Sequence, residues 1–320
     1  MKLFHLDEIK KVVPQIDLMA EIEAGFKAYS AGQSVVPPVG ELIMDDPPGE
    51  VHIKYGYIKD DDYYVIKIAS GFFDNHKLGL PTSAGMMLVF SQKTGTPVAV
   101  LADEGYLTDV RTAVAGAITA KYLAPKKVEQ IGIVGTGIQA RMQLQYLKGI
   151  IDCTDVLVWG RSADKLAAYQ AEMQADGFAV STTQSVDDVA SSCNLIITTT
   201  PAVEPLIKLD SLKKDGVHIT AMGSDTPHKQ EVEAGVLGAA DLVVADSIPQ
   251  CLVRGEISKA LGANAIEQDS VVELGTIISG GHPGRMSDSQ LTMADLTGVA
   301  VQDIQISKAV FEALVDQQSG

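Results

Sequence analysis

The sequence predicts an α/β protein: a doubly wound parallel sheet in one domain, joined to an α+β domain with a mixed or antiparallel sheet. Three observations predict it. Beyond Pro125, apolar runs of strand length alternate with helical patterns. Before Pro125, extended segments follow one another too closely for helices to intervene. Between an apolar run and a helical pattern stands a glycine-rich turn, Gly135-Thr136-Gly137-Ile138-Gln139-Ala140. With 320 residues there is chain enough for two cores.

Taken in order, residues 16–31 form an amphipathic helix. Residues 39–44, 51–58, 63–73, 85–91 and 98–103 are rich in β-branched and aromatic side chains and separated by Gly, Pro and Asp, so they read as strands. Residues 107–123 turn helical, with Thr108 as a candidate N-cap and Pro125 as the stop. Strands follow at 130–134, 156–159, 194–199, 218–222 and 242–245, and helices at 139–151, 163–175 and 231–238. Such alternation implies right-handed crossovers and helices on both faces of a parallel sheet. Residues 294–315 read as a last helix, with no strand after it to pair, and are expected to pack back on the first domain. The expected domains are 1–124 plus 298–320, and 125–297.

Composition narrows the function. Asp and Glu number 41 against 25 Lys and Arg, for a net charge of -16. That field repels phosphate backbones, so a nucleic-acid partner is not expected, and an anionic small molecule must be captured by local cations. Cys153, Cys193 and Cys251 are scattered and make no metal-ligand spacing; His52, His218 and His228 form no HxxxH or HxH pair, so no metal is expected. No signal-like or membrane-spanning apolar run is present, and the expectation is a cytoplasmic protein without a membrane partner.

The glycine turn follows Ile131-Gly132-Ile133-Val134 and opens a helix, the context in which such a turn binds a dinucleotide. Gly135 and Gly137 permit the tight turn and close backbone approach, while Ile138 and Gln139 begin the helix whose N-terminus faces the pyrophosphate. This identifies the second domain as Rossmann-like. After the next strand stands Gly160-Arg161-Ser162, with no carboxylate to bind a ribose 2′-hydroxyl. Arg161 and Ser162 suit a 2′-phosphate and lean toward NADP, although an Arg161 that only stacks on adenine leaves NAD open.

Four further residues invite chemistry. Lys67 lies inside the apolar run Val65-Ile66-Lys67-Ile68; if buried it needs a partner or an anion, and otherwise it is an edge lysine in solvent. Lys54 is similarly placed on the preceding strand, with surface exposure as the simpler alternative. Arg111 stands third after the candidate cap, where a helix dipole disfavours a cation, which points to an anion-binding role rather than a surface pair with Asp109. Asp225 follows a strand of the second domain, where doubly wound folds bind ligands, although Asp225-Thr226-Pro227 is also an ordinary turn.

Lys67, Gly79-Leu80-Pro81-Thr82, Leu107-Thr108 with Arg111-Thr112-Ala113, the glycine turn, and His218-Ile219 through Asp225 together resemble the ornithine cyclodeaminase/mu-crystallin family over nearly the whole chain. That family includes alanine dehydrogenases and imino-acid reductases. The resemblance implies a homodimer, in which Lys67 and Arg111 hold a substrate α-carboxylate and Asp225 transfers protons or holds the amine. It assigns Thr82, Thr112, Thr199, Met222, Lys229 and Thr297 to the cofactor or cleft. Two departures stand out. An arginine common after the early proline is missing in Pro37-Pro38-Val39-Gly40-Glu41, and the glutamate of true ornithine cyclodeaminases is replaced around Lys54. A lysine there suits a second substrate carboxylate. His52-Ile53-Lys54-Tyr55-Gly56-Tyr57 also resembles the iminosuccinate reductase branch. The rival implications are alanine dehydrogenase, pyrroline-2-carboxylate reductase, ornithine cyclodeaminase and a non-catalytic NADPH-binding protein.

Overall fold

A computed structural model describes residues 1–72 and 74–319. The chain forms two compact units, Met1–Thr112 with Val299–Gly320, and Ala113–Gly298. It leaves the first unit within one helix and returns to it between Gly298 and Val299.

The first unit contains β1 (Lys2–His5), α1 (Leu6–Val12), α2 (Leu18–Ser30), β2 (Ser34–Val35), β3 (Gly40–Asp45), β4 (Pro48–Ile58), β5 (Tyr63–Phe72), β6 (Ser83–Ser91) and β7 (Pro97–Ala102). Phe73, assigned to a strand by the sequence, lies outside the described residues. The strands form a mixed sheet in the order β1-β7-β6-β5-β4-β2, with β3 also on β4; only the β1–β7 pair is parallel. Strand periodicity sorts its side chains. Val65, Lys67, Met87, Val89 and Leu101 are buried on one face, while Tyr64, Ile66, Ile68 and Leu88 on the other are only half-buried.

On the buried face lies the C-terminal helix, Ala300–Ser319, which also packs against α2. The expected helix at 294–315 is corrected here: Thr292–Asp295 is a strand of the second unit, and the helix begins at Ala300. A segment of four residues, Thr292-Met293-Ala294-Asp295, is too short to show a period of its own, and it is extended by pairing between two parallel strands.

The helix α3 (Tyr106–Leu123) leads into the second unit. There follow β8 (Ile131–Val134), α4 (Ile138–Tyr146), β9 (Asp155–Trp159), α5 (Ala163–Ala175), β10 (Ala179–Thr183), α6 (Val186–Ser192), β11 (Leu195–Thr198) and β12 (His218–Ala221). Next come α7 (Ala234–Ala239), β13 (Leu242–Ala245), α8 (Ile248–Cys251), α9 (Gly255–Gly262), β14 (Val271–Glu273), α10 (Leu274–Ile278) and β15 (Thr292–Asp295). All eight strands are parallel, in the order β10-β9-β8-β11-β12-β15-β13-β14. Ile196 enters one apolar core and Leu195 and Ile197 another, so the sheet is covered on both faces. That double burial explains why its central strands read as unbroken apolar runs.

Strand order reverses between β8 and β11, the switch point at whose carboxyl end ligands bind in this architecture. The expected helices at 139–151 and 231–238 are shorter than their patterns: α4 ends at Tyr146, and Glu231 lies before α7. His218 is a core residue. Its ring nitrogens contact the hydroxyls of Thr292 and Thr220 at 2.8 and 2.9 Å, and burial pushes its pKa down to about 3. No described helix is long and apolar enough to cross a membrane.

Candidate active site

In the first unit, β4 and β5 pair antiparallel with Lys54 directly opposite Lys67. Directly opposed residues share a sheet face, so both lysines stand on the buried one. Lys54 is 7% exposed and Lys67 2%, which excludes the surface alternatives for both. The first turn of the C-terminal helix brings Gln302 and Asp303 to the same place. Asp303 Oδ1 lies 3.0 Å from Arg111 Nε, and its Oδ2 3.5 Å from Lys67 Nζ. Arg111 Nη1 donates to Gln302 Oε1 at 2.7 Å.

Arg111 is thus buried among these groups rather than a surface residue, but for a different local reason than its position suggested. The helix α3 starts at Tyr106, and the Asp103 carboxylate accepts the Leu107 N–H at 2.7 Å. Thr108 is therefore inside the helix and not its cap, and Arg111 is beyond the first turn, where the dipole weighs little. Once buried, a guanidinium must be held by carboxylates and amides or by a ligand, and here Asp303 and Gln302 hold it.

The cluster also sets the charge of Lys67. Burial pushes its pKa down to about 7; Asp303 pulls it upward, while Arg111 and Lys54 push it further down. Lys67 therefore exchanges its proton near neutrality, and a bound anion would favour its charged form. Thr82 is exposed just before β6, and its carbonyl accepts from the Phe72 N–H at 2.8 Å. Thr112 donates its hydroxyl to the Thr108 carbonyl at 2.8 Å.

In the second unit the glycine turn has the properties a dinucleotide requires. Gly135 has φ +126°, and a Cβ there would stand 2.6 Å from Thr199 Oγ1, so a side chain is excluded twice. Around Gly137, at the N-terminus of α4, a Cβ would meet nothing within 4 Å; the space beside these amides is open. Ile138 is 58% exposed at the same helix end, and Gln139 half-buried. Thr199 is held against the turn, its N–H and hydroxyl both donating to the Val134 carbonyl at 2.9 and 3.2 Å. At the end of β9, Arg161 is exposed. Ser162 caps α5 by accepting the Lys165 N–H at 3.4 Å, which leaves its own proton to donate.

Asp225 stands on the loop after β12, where Lys229 Nζ donates to its Oδ1 at 2.7 Å and Arg254 Nη1 to its carbonyl at 3.2 Å. Half-buried Met222 ends the preceding segment. Thr297 is turned inward: it is 2% exposed, with its hydroxyl bonded to Gln250 at 2.9 Å and Asp246 at 3.1 Å. Among the described residues no group of three His, Cys, Asp or Glu side chains is arranged to hold a metal.

Sequence reasoning missed Asp303 and Gln302, which sit in an otherwise apolar helix stretch far from Arg111 in the chain. It also missed the buried carboxylates Glu231 and Glu256 behind the Asp225 loop. The one available signal was acids with an apolar residue next to them (Ile304 after Asp303, Ile257 after Glu256).

Comparison with known proteins agrees with both units. The family model for the ornithine cyclodeaminase/mu-crystallin family matches residues 3–318. An uncharacterised cyclodeaminase of Sinorhizobium fredii is 38% identical over 100% of this chain and 98% of its own. Alanine dehydrogenase of Archaeoglobus fulgidus is 31% identical over 98% and 95%. Among solved structures, Thermococcus litoralis Δ1-pyrroline-2-carboxylate reductase in complex with NADH and L-proline superposes with a TM-score of 0.93, at 25% identity over 99% of this chain and 98% of the other. The iminosuccinate reductase of Paracoccus denitrificans in complex with NAD+ gives a TM-score of 0.89, at 28% identity over 99% and 97%. With its Rossmann-like unit, its α+β unit and a match across nearly its whole length, the chain belongs to the ornithine cyclodeaminase/mu-crystallin family.

Proposed function

We propose that the protein is an NAD(P)-dependent oxidoreductase acting on the carbon–nitrogen bond of amino or imino acids, and that it reduces an α-imino acid to an α-amino acid. The observation that carries this reading is the buried set Lys54, Lys67 and Arg111 around Asp303, a trap for small carboxylates in a chain of net charge -16. Lys67 and Arg111 hold the α-carboxylate, and Asp225 holds the iminium nitrogen or passes it a proton as the amine forms. Gly135, Gly137, Ile138 and Gln139 receive the dinucleotide, with Thr82, Thr112, Thr199, Met222, Lys229 and Thr297 as further contacts. Arg161 and Ser162 decide between NAD and NADP. When bound, the reduced nicotinamide supplies the hydride; the protein's share is to fix the substrate and exclude misaligned approaches.

The preferred substrate in this proposal is iminosuccinate, giving aspartate. Lys54 opposite Lys67 offers a second carboxylate a cation, and the resemblance to the Paracoccus reductase supports the same choice. The test follows NADH and NADPH absorbance with freshly generated iminosuccinate, with pyruvate plus ammonia, and with pyrroline-2-carboxylate. Lys54→Ala is expected to lower kcat/KM for iminosuccinate by about 10- to 100-fold, the range for a lost charge-assisted contact, while leaving pyruvate plus ammonia within about threefold. Equal losses on both would remove the dicarboxylate assignment and favour alanine dehydrogenase, to which the Archaeoglobus relative points. Cyclodeamination regenerates its cofactor each cycle, so stoichiometric consumption of NAD(P)H excludes it.

The charge network makes a pH prediction. Substrate capture needs protonated Lys67, so kcat/KM should fall about tenfold per unit above the Lys67 pKa, near 7 in the free enzyme. Asp303 raises that pKa. Asp303→Asn should therefore move the alkaline limb to lower pH, and a limb that stays in place or moves upward would contradict the coupling.

We further propose that the outward face of the first unit's sheet is a self-association surface. It carries Tyr55, Tyr57 and Met86 exposed beside half-buried Ile53, Ile66 and Ile68, a contiguous apolar set. A dimer is expected by sedimentation, and Ile68→Glu should yield monomers.

A further inference from the structure

Two buried carboxylates that take no part in the proposed chemistry hold the loop that carries Asp225. Glu231 is fully buried and accepts four hydrogen bonds. Thr200 donates to one oxygen through its N–H and its hydroxyl, at 2.5 and 2.7 Å. To the other, the Thr198 hydroxyl and the Gly223 N–H donate, both at 2.8 Å. Thr198 ends β11, and Gly223 follows β12, so a single carboxylate ties together the ends of two neighbouring strands. Behind it, Glu256 accepts from Ser224 Oγ at 2.5 Å and from the N–H groups of Glu231 and Val232 at 2.7 and 3.1 Å.

The contacts of Glu231 flank two residues of interest. Thr198 and Thr200 bracket Thr199, which touches the glycine turn, and Gly223 lies two residues before Asp225. Gly223 has to be glycine, because a Cβ there would collide with the Thr200 carbonyl and Glu231 Oε2. All four partners are donors, and only a group that accepts at both ends matches them. Glutamine would turn an NH2 toward two of them, and an apolar side chain would leave all four unsatisfied. A desolvated carboxylate is an expensive way to fill space, which argues that position, not packing, is what Glu231 provides.

We infer that Glu231 is a positioning residue: through Thr198, Thr200 and Gly223 it fixes Thr199 against the glycine turn and Asp225 on the loop after β12. The catalytic part of this inference rests on the role proposed for Asp225. A displacement of about 1 Å at a reacting group can cost on the order of a hundredfold in rate. Glu231→Gln should accordingly lower kcat about 100-fold and leave KM for the imino acid within about threefold, because the proposed holders of the substrate's α-carboxylate, Lys67 and Arg111, are not among its partners.

The decisive test pairs a double-mutant cycle with amide hydrogen exchange. If Glu231 works through Asp225, adding Glu231→Gln to Asp225→Asn costs less than about twofold more; full multiplication of the two effects overturns the inference. Exchange at the Gly223 and Thr200 amides should quicken at least about tenfold while β8 and β9 keep their protection, and unchanged exchange overturns it without reference to activity. Should Glu231→Gln fail to fold, Thr200→Val removes one hydroxyl donor and is read by the same two measurements. If Asp225→Asn alone retains full turnover, the role of Asp225 falls, while the exchange result still judges Glu231.

Discussion

Replacing Arg111 by alanine is expected to lower kcat/KM about a thousandfold for every carboxylate substrate, with the fold retained. Removing one partner of a buried ion pair costs about 3–5 kcal/mol, most of it from the charge left behind. Here Asp303 would be left with Lys67 alone, at 3.5 Å, and Gln302 would lose its guanidinium donor. Lysine should rescue poorly, since a point charge cannot span Gln302 and Asp303 as the planar fork does. The variant also has a signature that separates it from general damage. Arg111 lowers the pKa of Lys67, so its removal should move the alkaline limb of the rate profile upward, opposite to Asp303→Asn. The measurement is kcat/KM against pH for both variants, with thermal unfolding as a control. A limb that moves the same way in both would refute the three-charge coupling.

Asp225→Asn should lower kcat by about 10²–10⁴-fold, the range for a positioned acid–base group. The exchange keeps the shape and the bond from Lys229 can persist, since an amide oxygen still accepts. What disappears is the charge that would steady an iminium nitrogen and the ability to pass a proton. Affinity for NADH, followed by its fluorescence, is expected to change less than about threefold, because in the proposed mode Gly135 and Gly137 would hold the cofactor with backbone groups. Loss of cofactor binding together with turnover would instead make Asp225 a structural member of the loop.

The two halves of the chain were unequally legible. The parallel sheet of the second unit was readable because fully buried strands are unbroken apolar runs and its helices have their own period. Only short elements escaped: β10, β14, β15 and the helices α6, α8, α9 and α10, of four to eight residues, too short to show either period. Lys67 stood out as a cation inside an apolar run, and its burial agrees with that reading; Arg111 is buried as well, but the helix-cap argument that singled it out failed with the cap assigned to Thr108. The glycine turn needed no tertiary information at all.

What the sequence by itself determined was therefore the class of fold, the place of the glycine-rich turn and the family, each written in a local pattern of period, glycine placement and block spacing. The tertiary structure alone decided which charges meet. Lys54 and Lys67 became neighbours through antiparallel register, and Asp303 joined Arg111 across 192 residues of chain because the last helix returns to the first sheet. Glu231 found donors at two strand ends brought together by sheet order, and Glu256 found its own on the segment that follows β12. Electrostatic and hydrogen-bonding energies depend on distances of a few ångströms between such groups, and no local pattern encodes those distances.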